Sequence, residues 1–150
     1  MNVDYFMQEA IIEANKAFNL NEVPVGGVLV KNKSNEIVAR AYNTVNKNNC
    51  ATNHCELNLI HEACDKLQLK YLQDMTLFVT LEPCTMCASA ISEVHIKNIY
   101  FGAYDEKNGG IEKVRVAFQR ENIFMPNIYG GIMEKECSNL LKRFFKKIND

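Results

Sequence analysis

Apolar residues recur at helical spacing near the start of the chain. Met7, Ala10, Ile11, Ala14, Ala17 and Phe18 fall on one face of segment 4–19, which predicts an amphipathic helix. Two short apolar runs follow, 24–30 and 36–41, joined by the polar turn Asn32-Lys33-Ser34-Asn35. That pattern predicts a β-hairpin. Residues 42–53 are polar and rich in Asn, and read as a loop. A second helix is expected to start near Thr52 or Asn53 and to turn Ile60, Ala63, Cys64 and Leu67 toward the core. Segment 76–81 is a short apolar run bounded by polar residues, as a buried strand would be. Pro83 is expected to open a third helix, where its missing N–H costs nothing. Segment 96–102 reads as another strand. Gly109-Gly110 interrupts the chain before a helix expected over 111–118, and 127–129 reads as a short last strand. Ile132, Met133, Cys137, Leu140, Leu141, Phe144 and Ile148 mark a closing helix.

A helix, a hairpin and then alternating helices and strands predict an α/β fold whose mixed sheet is covered on both faces. The length of 150 residues fits one domain, 1–150. A composition of 47% hydrophobic and 23% charged residues excludes a disordered chain. The net charge of −1 excludes bulk electrostatic attraction to nucleic acid or membrane, so any RNA contact needs a local basic patch. No apolar run reaches the length of a membrane-spanning helix, and Met1-Asn2-Val3-Asp4-Tyr5 lacks the character of a signal peptide. The expected location is the cytoplasm. There the 6 cysteines stay reduced and are not a disulfide framework.

Two short motifs bear chemistry, each at an expected helix start: His54-Cys55-Glu56 and Pro83-Cys84-Thr85-Met86-Cys87. Cys84 and Cys87 are three apart, so on a helix their sulfurs share a face. A helix N-terminus favours the thiolate, which is the form that binds metal. With His54 they make a His-Cys-Cys set that leaves one position of a tetrahedral zinc open, the pattern of a catalytic site. Glu56, two residues from His54, is placed to move protons as a general acid–base. Taken singly, each motif has another reading. Asn53 and Glu56 have the spacing of a helix-capping pair. Cys-x-x-Cys also suits a thioredoxin-like redox pair or half of a structural zinc site. In combination they match the H-x-E…P-C-x-x-C signature of zinc nucleobase deaminases. Cys55 points about 100° away from His54 on a helix and is not expected on the same metal. Cys50, Cys64 and Cys137 read as apolar fillers or inert loop thiols, and His61 and His95 as structural or surface residues.

Nearly the whole chain resembles the bacterial tRNA-specific adenosine deaminases, within the zinc-dependent cytidine/deoxycytidylate deaminase superfamily. The similarity runs through Glu22-Val23-Pro24-Val25-Gly26 and the stretch from Thr76 through Thr80-Leu81-Glu82-Pro83-Cys84-Thr85-Met86-Cys87. It continues through Phe101-Gly102-Ala103 with Asp105, Lys107 and Gly109, and through Gly131-Ile132, Glu136-Cys137 and Phe144-Phe145. The resemblance implies a three-layer α/β/α fold with a five-stranded sheet, a zinc cofactor and a homodimer in which both subunits build the RNA groove. It implies conversion of the wobble adenosine of an arginine tRNA to inosine, with the anticodon stem-loop as partner. It also implies that Asn43 contacts the flipped purine. Glu82 and Cys84 would flank the zinc-bound oxygen through their backbone, and Asp105 would shape the substrate loop.

The sequence departs from the family in the loop that should wall the pocket. Cys50-Ala51-Thr52-Asn53-His54-Cys55-Glu56 stands where the family reads Asp-Pro-Thr-Ala-His-Ala-Glu, Tyr42-Asn43 replaces a Trp-Asn pair, and Thr44-Val45 an Arg-Pro. These changes spare the ligands and the base and bear on substrate choice. RNA contacts are expected on the final helix, at Phe144 and Lys146 within the run Lys142, Arg143, Phe144, Phe145, Lys146 and Lys147. From charge alone that run reads as a solvated helix end complementing its dipole. The alternatives are a deaminase of a free base or nucleoside such as guanine or cytosine, a non-catalytic zinc-stabilised RNA-binding protein, and a Cys-x-x-Cys oxidoreductase.

Overall fold

The computed structural model describes residues 1–111, 118–119 and 122–149. The elements run α1 (Val3–Asn19), β1 (Gly26–Lys31), β2 (Ile37–Tyr42), α2 (Cys55–Leu67), β3 (Met75–Leu81), α3 (Thr85–Glu93), β4 (Asn98–Ala103), β5 (Asn127–Tyr129) and α4 (Glu134–Asn149). The helix expected over 111–118 lies, apart from its ends, outside the described residues. No helix among the described residues is long and apolar enough to cross a membrane.

The five strands form one sheet in the order β2-β1-β3-β4-β5. β1 pairs antiparallel with both β2 and β3, whereas β3–β4 and β4–β5 are parallel. The hairpin explains the antiparallel β1–β2 pair, and α2 then carries the chain across β1 so that β3 runs antiparallel to it. The parallel β3–β4 pair follows from α3, which crosses over between those strands.

Alternation along the strands makes three layers. Leu29, Leu77, Val79, Ile99 and Phe101 enter a core with Cys55, Leu59, Ala63, Ala88 and Ile91, which belong to α2 and α3. Val28, Val30, Phe78 and Ala103 point the other way, into a core with Phe6, Met7 and Ala10 of α1 and Cys137 of α4. Both faces are thus buried, which is why β1 and β3 read as unbroken apolar runs rather than as alternating strands. At Gly26 a Cβ would lie 2.1 Å from the Ala14 backbone nitrogen, so glycine there lets β1 press against α1.

Two expected helix starts shift. α2 begins at Cys55 with His54 as its N-cap, and α3 begins at Thr85 with Cys84 as its N-cap. Pro83 therefore precedes the helix instead of opening it, and its carbonyl accepts a bond from Gly110 N–H at 2.8 Å. The capping pair read into Asn53 and Glu56 does not form, because the N-cap falls one residue later.

Candidate active site

The shifted starts have a chemical consequence. N-cap side chains ordinarily accept a bond from their own helix. Neither His54 nor Cys84 does so. Both turn instead toward each other and toward Cys87, in the first turn of α3. His54 Nδ1 lies 3.7 Å from Cys84 Sγ and 3.5 Å from Cys87 Sγ, and the ligand atoms of the three all lie within 4.8 Å of one another. A tetrahedral zinc with bonds of about 2.3 Å to sulfur and 2.0–2.1 Å to nitrogen would hold nitrogen and sulfur about 3.5 Å apart. The donor set and its spacing therefore fit zinc. The helix N-termini of α2 and α3 converge there, where partial positive charge favours thiolates.

The protonation pattern agrees. Hydrogen bonding from Cys87 holds the Cys84 thiol down at about 4, and His54 contributes in the same direction. The Cys87 thiol is driven far up by its bond to Cys84 and by burial, so the pair shares one proton. His54 is raised by its bond to Cys84. Glu56, in the first turn of α2, is only 4% exposed. Burial raises its carboxyl to about 7, against the opposing pull of its own backbone N–H.

His54, Glu56 and Cys84 line a cavity of about 430 Å³ whose walls also include Val25, Asn43, Val45, Leu81, Glu82 and Asp105. That volume falls within the range of about 300–1,000 Å³ usual for small-molecule pockets. Asn43 Oδ1 accepts from Cys55 N–H at 2.7 Å, so a residue twelve positions upstream satisfies the first N–H of α2. Asn43 also lines the cavity. Glu82 is buried and accepts from Asp105 N–H at 3.1 Å and Ile111 N–H at 3.2 Å. Asp105 in turn accepts from Lys107 and Asn108 N–H, closing a tight turn. A Cβ at Gly109 would fall 2.5 Å from the Glu82 carboxylate, and Gly109 bridges to Cys84, so the loop 105–111 packs directly on the Glu82-Pro83-Cys84 turn.

The structure thus brings together His54, Glu56, Cys84, Cys87, Asn43, Glu82 and Asp105 around one cavity. Phe144 lies elsewhere. It is 3% exposed and packs edge-on against Phe18 of α1, because it continues the apolar stripe of α4. Its neighbour Phe145 is the exposed aromatic. Lys146 is exposed on the last turn of α4. Cys55 is fully buried, and its thiol donates to Ala41 O at 3.3 Å rather than joining the His54-Cys84-Cys87 cluster. Sequence reasoning gave no role to Glu22, a wall residue that is 2% exposed. The signal available was a lone carboxylate at the head of an apolar strand.

Residues 1–103 match the cytidine and deoxycytidylate deaminase zinc-binding region. A relative from Rickettsia bellii (strain RML369-C), named tRNA-specific adenosine deaminase, is 42% identical over 145 residues, 96% of this chain and 100% of its own. One of the same name from Bacillus subtilis (strain 168) is 39% identical over 146 residues, 97% of this chain and 89% of its own. A solved structure from a study of A-to-I editing by tRNA:A34 deaminases at the wobble position of transfer RNA superposes with a TM-score of 0.86 at 39% identity, covering 91% of this chain and 99% of that one. The chain belongs to the tRNA-specific adenosine deaminase family, within the zinc-binding cytidine and deoxycytidylate deaminases.

Proposed function

We propose that this single domain deaminates the wobble adenosine of an arginine tRNA to inosine, consuming water and releasing ammonia. The observation that supports it best is the His54-Cys84-Cys87 cluster at zinc-ligand spacing near a buried Glu56, on a cavity of about 430 Å³ that His54, Cys84 and Glu56 line. His54, Cys84 and Cys87 would hold zinc with one position open, and zinc there would supply an acidified water as nucleophile at neutral pH. Glu56 would act as the general acid–base, taking a proton from the attacking water and passing protons to the ring nitrogen and the leaving amine. General acid–base work of this kind contributes ~10²–10⁴ in rate. The Asn43 side chain would contact the flipped purine, and the turn held by Glu82 and Asp105 would wall the pocket beside it.

A polymer is favoured over a free base by what adjoins the pocket. A second cavity of about 590 Å³ shares Val23, Leu81, Asp105 and Asn108 with the first and adds Tyr104, Lys107 and Phe145. Tyr104 and Phe145 are exposed, as stacking platforms for bases flanking the target would be. A single-stranded anticodon loop can splay its bases into such a surface at modest cost. We place the work in the cytoplasm, where thiols stay reduced and available to metal. We take the acting form to be a homodimer; sedimentation of a monomer at working concentration would remove the second subunit from the RNA groove.

The test uses zinc-loaded protein with an unmodified arginine tRNA transcript bearing an ACG anticodon, beside tubes of adenosine, adenine, guanine, cytosine and cytidine. Inosine at the wobble position, with no ammonia from the small molecules, is expected. Glu56→Gln should keep zinc and fold while turnover falls ~10²-fold or more. Turnover of a free base and none of the tRNA would retain the chemistry and overturn the RNA assignment. Full activity in Glu56→Gln would remove Glu56 from proton transfer.

A further inference from the structure

The chemistry set out above leaves Glu22 unused, although at 2% exposed it is as buried as any carboxylate among the described residues. It stands between α1 and β1, and its two oxygens are both spent on one loop. Oε1 accepts from Asn46 N–H at 2.9 Å and Oε2 from Lys47 N–H at 2.7 Å. Beside it, Asn21 O accepts from the Asn46 side-chain NH₂ at 3.2 Å. These bonds anchor the tip of residues 44–50 to the end of α1. The loop leaves from Asn43 and returns to His54, and its Val45 and Asn46 wall the cavity. Glu82, which also walls the cavity, holds loop 105–111 in the same way, through Asp105 N–H and Ile111 N–H. The pocket therefore has two lips, each fastened by one buried carboxylate to a pair of backbone N–H groups.

We propose that Glu22 is a positioning residue that holds the 44–50 lip in its substrate-ready shape and so sets how well substrate fits, without taking part in the chemistry. The inference deepens the functional reading above and rests on it for the substrate. Bonds from backbone N–H to a carboxylate are charge-assisted and shorter and stronger than neutral ones. Glutamine at this position would keep the shape but offer one oxygen for two N–H groups, leaving a buried donor facing an NH₂. The lip would loosen, and its ordering would then be drawn from binding energy. The ligand cluster is fastened separately, by the starts of α2 and α3, so the chemical step is untouched. Loss of binding common to ground and transition states appears in KM with kcat preserved.

Glu22→Gln in the full-length protein should therefore retain its zinc stoichiometry. Amide hydrogen exchange at Asn46 and Lys47 should quicken ~10-fold, with KM for the tRNA transcript rising ~10-fold and kcat within about two-fold. Lys47→Pro leaves Glu22 in place and removes one of its two donors. Its exchange at Asn46 and its KM should move in the same direction, even if Glu22→Gln fails to fold. Unchanged exchange at these amides overturns the proposal, as does a fall in kcat at constant KM. If the parent protein deaminates neither tRNA nor any base, the functional reading falls, while the exchange rates still decide whether Glu22 holds the lip.

Discussion

Cys137 shows how burial sets a side chain's chemistry without making it functional. It is 1% exposed on α4, and a Cβ at Gly102 would lie 2.4 Å from its sulfur. Burial pushes its thiol from 9.0 up to about 12. Below pH 9 the thiol is protonated both folded and unfolded, and stability is unaffected. Between pH 9 and about 12 the unfolded chain ionises while the folded one does not, so stability falls as pH rises, by at most ~1.4 kcal/mol per pH unit. Cys137→Ala should remove this part of the alkaline slope, seen as a flatter dependence of the denaturation midpoint on pH between 8 and 11. Equal slopes for parent and variant would show that another group carries it. Cys84 behaves in the opposite way. It has a proton donor in Cys87 and a helix N-terminus behind it, and its thiol moves down rather than up. The sequence distinguishes the two by motif, because Cys84 stands three residues from Cys87 after a proline.

At the scale of elements, the strands and helices were legible wherever one face is apolar, and β5 falls at 127–129 as its pattern predicts. The errors lie at helix starts, and they share a cause. His54 and Cys84 occupy N-cap positions without capping, since their side chains are committed to each other, and helix-start rules assume a cap that bonds its own helix. The His54-Cys84-Cys87 cluster was legible in local motifs, whereas Glu22 was not, because its partners are 24 and 25 residues away on a loop. The missing cap on α2 comes from Asn43, across the loop. Asn43 therefore has two separable duties. Asn43→Asp keeps an oxygen for Cys55 N–H and removes the side-chain NH₂ from the pocket wall. It should hold stability and zinc affinity while raising KM. Asn43→Ala loses both, and should also lower stability by ~1 kcal/mol, the usual worth of an N-cap. Equal stability loss in the two variants, measured by denaturant unfolding, would mean that the capping bond is not what Asn43 contributes.

For the whole molecule, a net charge of −1 means that attraction to RNA must come from where charges sit rather than from their sum. The basic run on α4 divides in two. Arg143 and Lys147 lie 5.3 and 5.0 Å from the Phe18 ring centre, and Lys147 also reaches Asn21, so both cations help bind α4 to α1. Lys142 and Lys146, exposed on the same helix like the other two, make no such contact with Phe18 or Asn21. On this division, Lys142→Glu with Lys146→Glu should weaken tRNA binding ~10-fold or more at low salt. It should also reduce the slope of log affinity against log salt by about two, because a cation that no longer neutralises a phosphate frees about one counterion fewer. Arg143→Gln with Lys147→Gln should instead lower stability by ~1 kcal/mol, since Phe18 is left without a cation over its ring, with a smaller change in the salt slope. Titrating the anticodon stem-loop at several salt concentrations reads both pairs at once. If the Arg143 and Lys147 pair moved the slope more than the Lys142 and Lys146 pair, the RNA would lie across the α1–α4 seam, and the stacking surface would have to be sought there rather than at Tyr104 and Phe145.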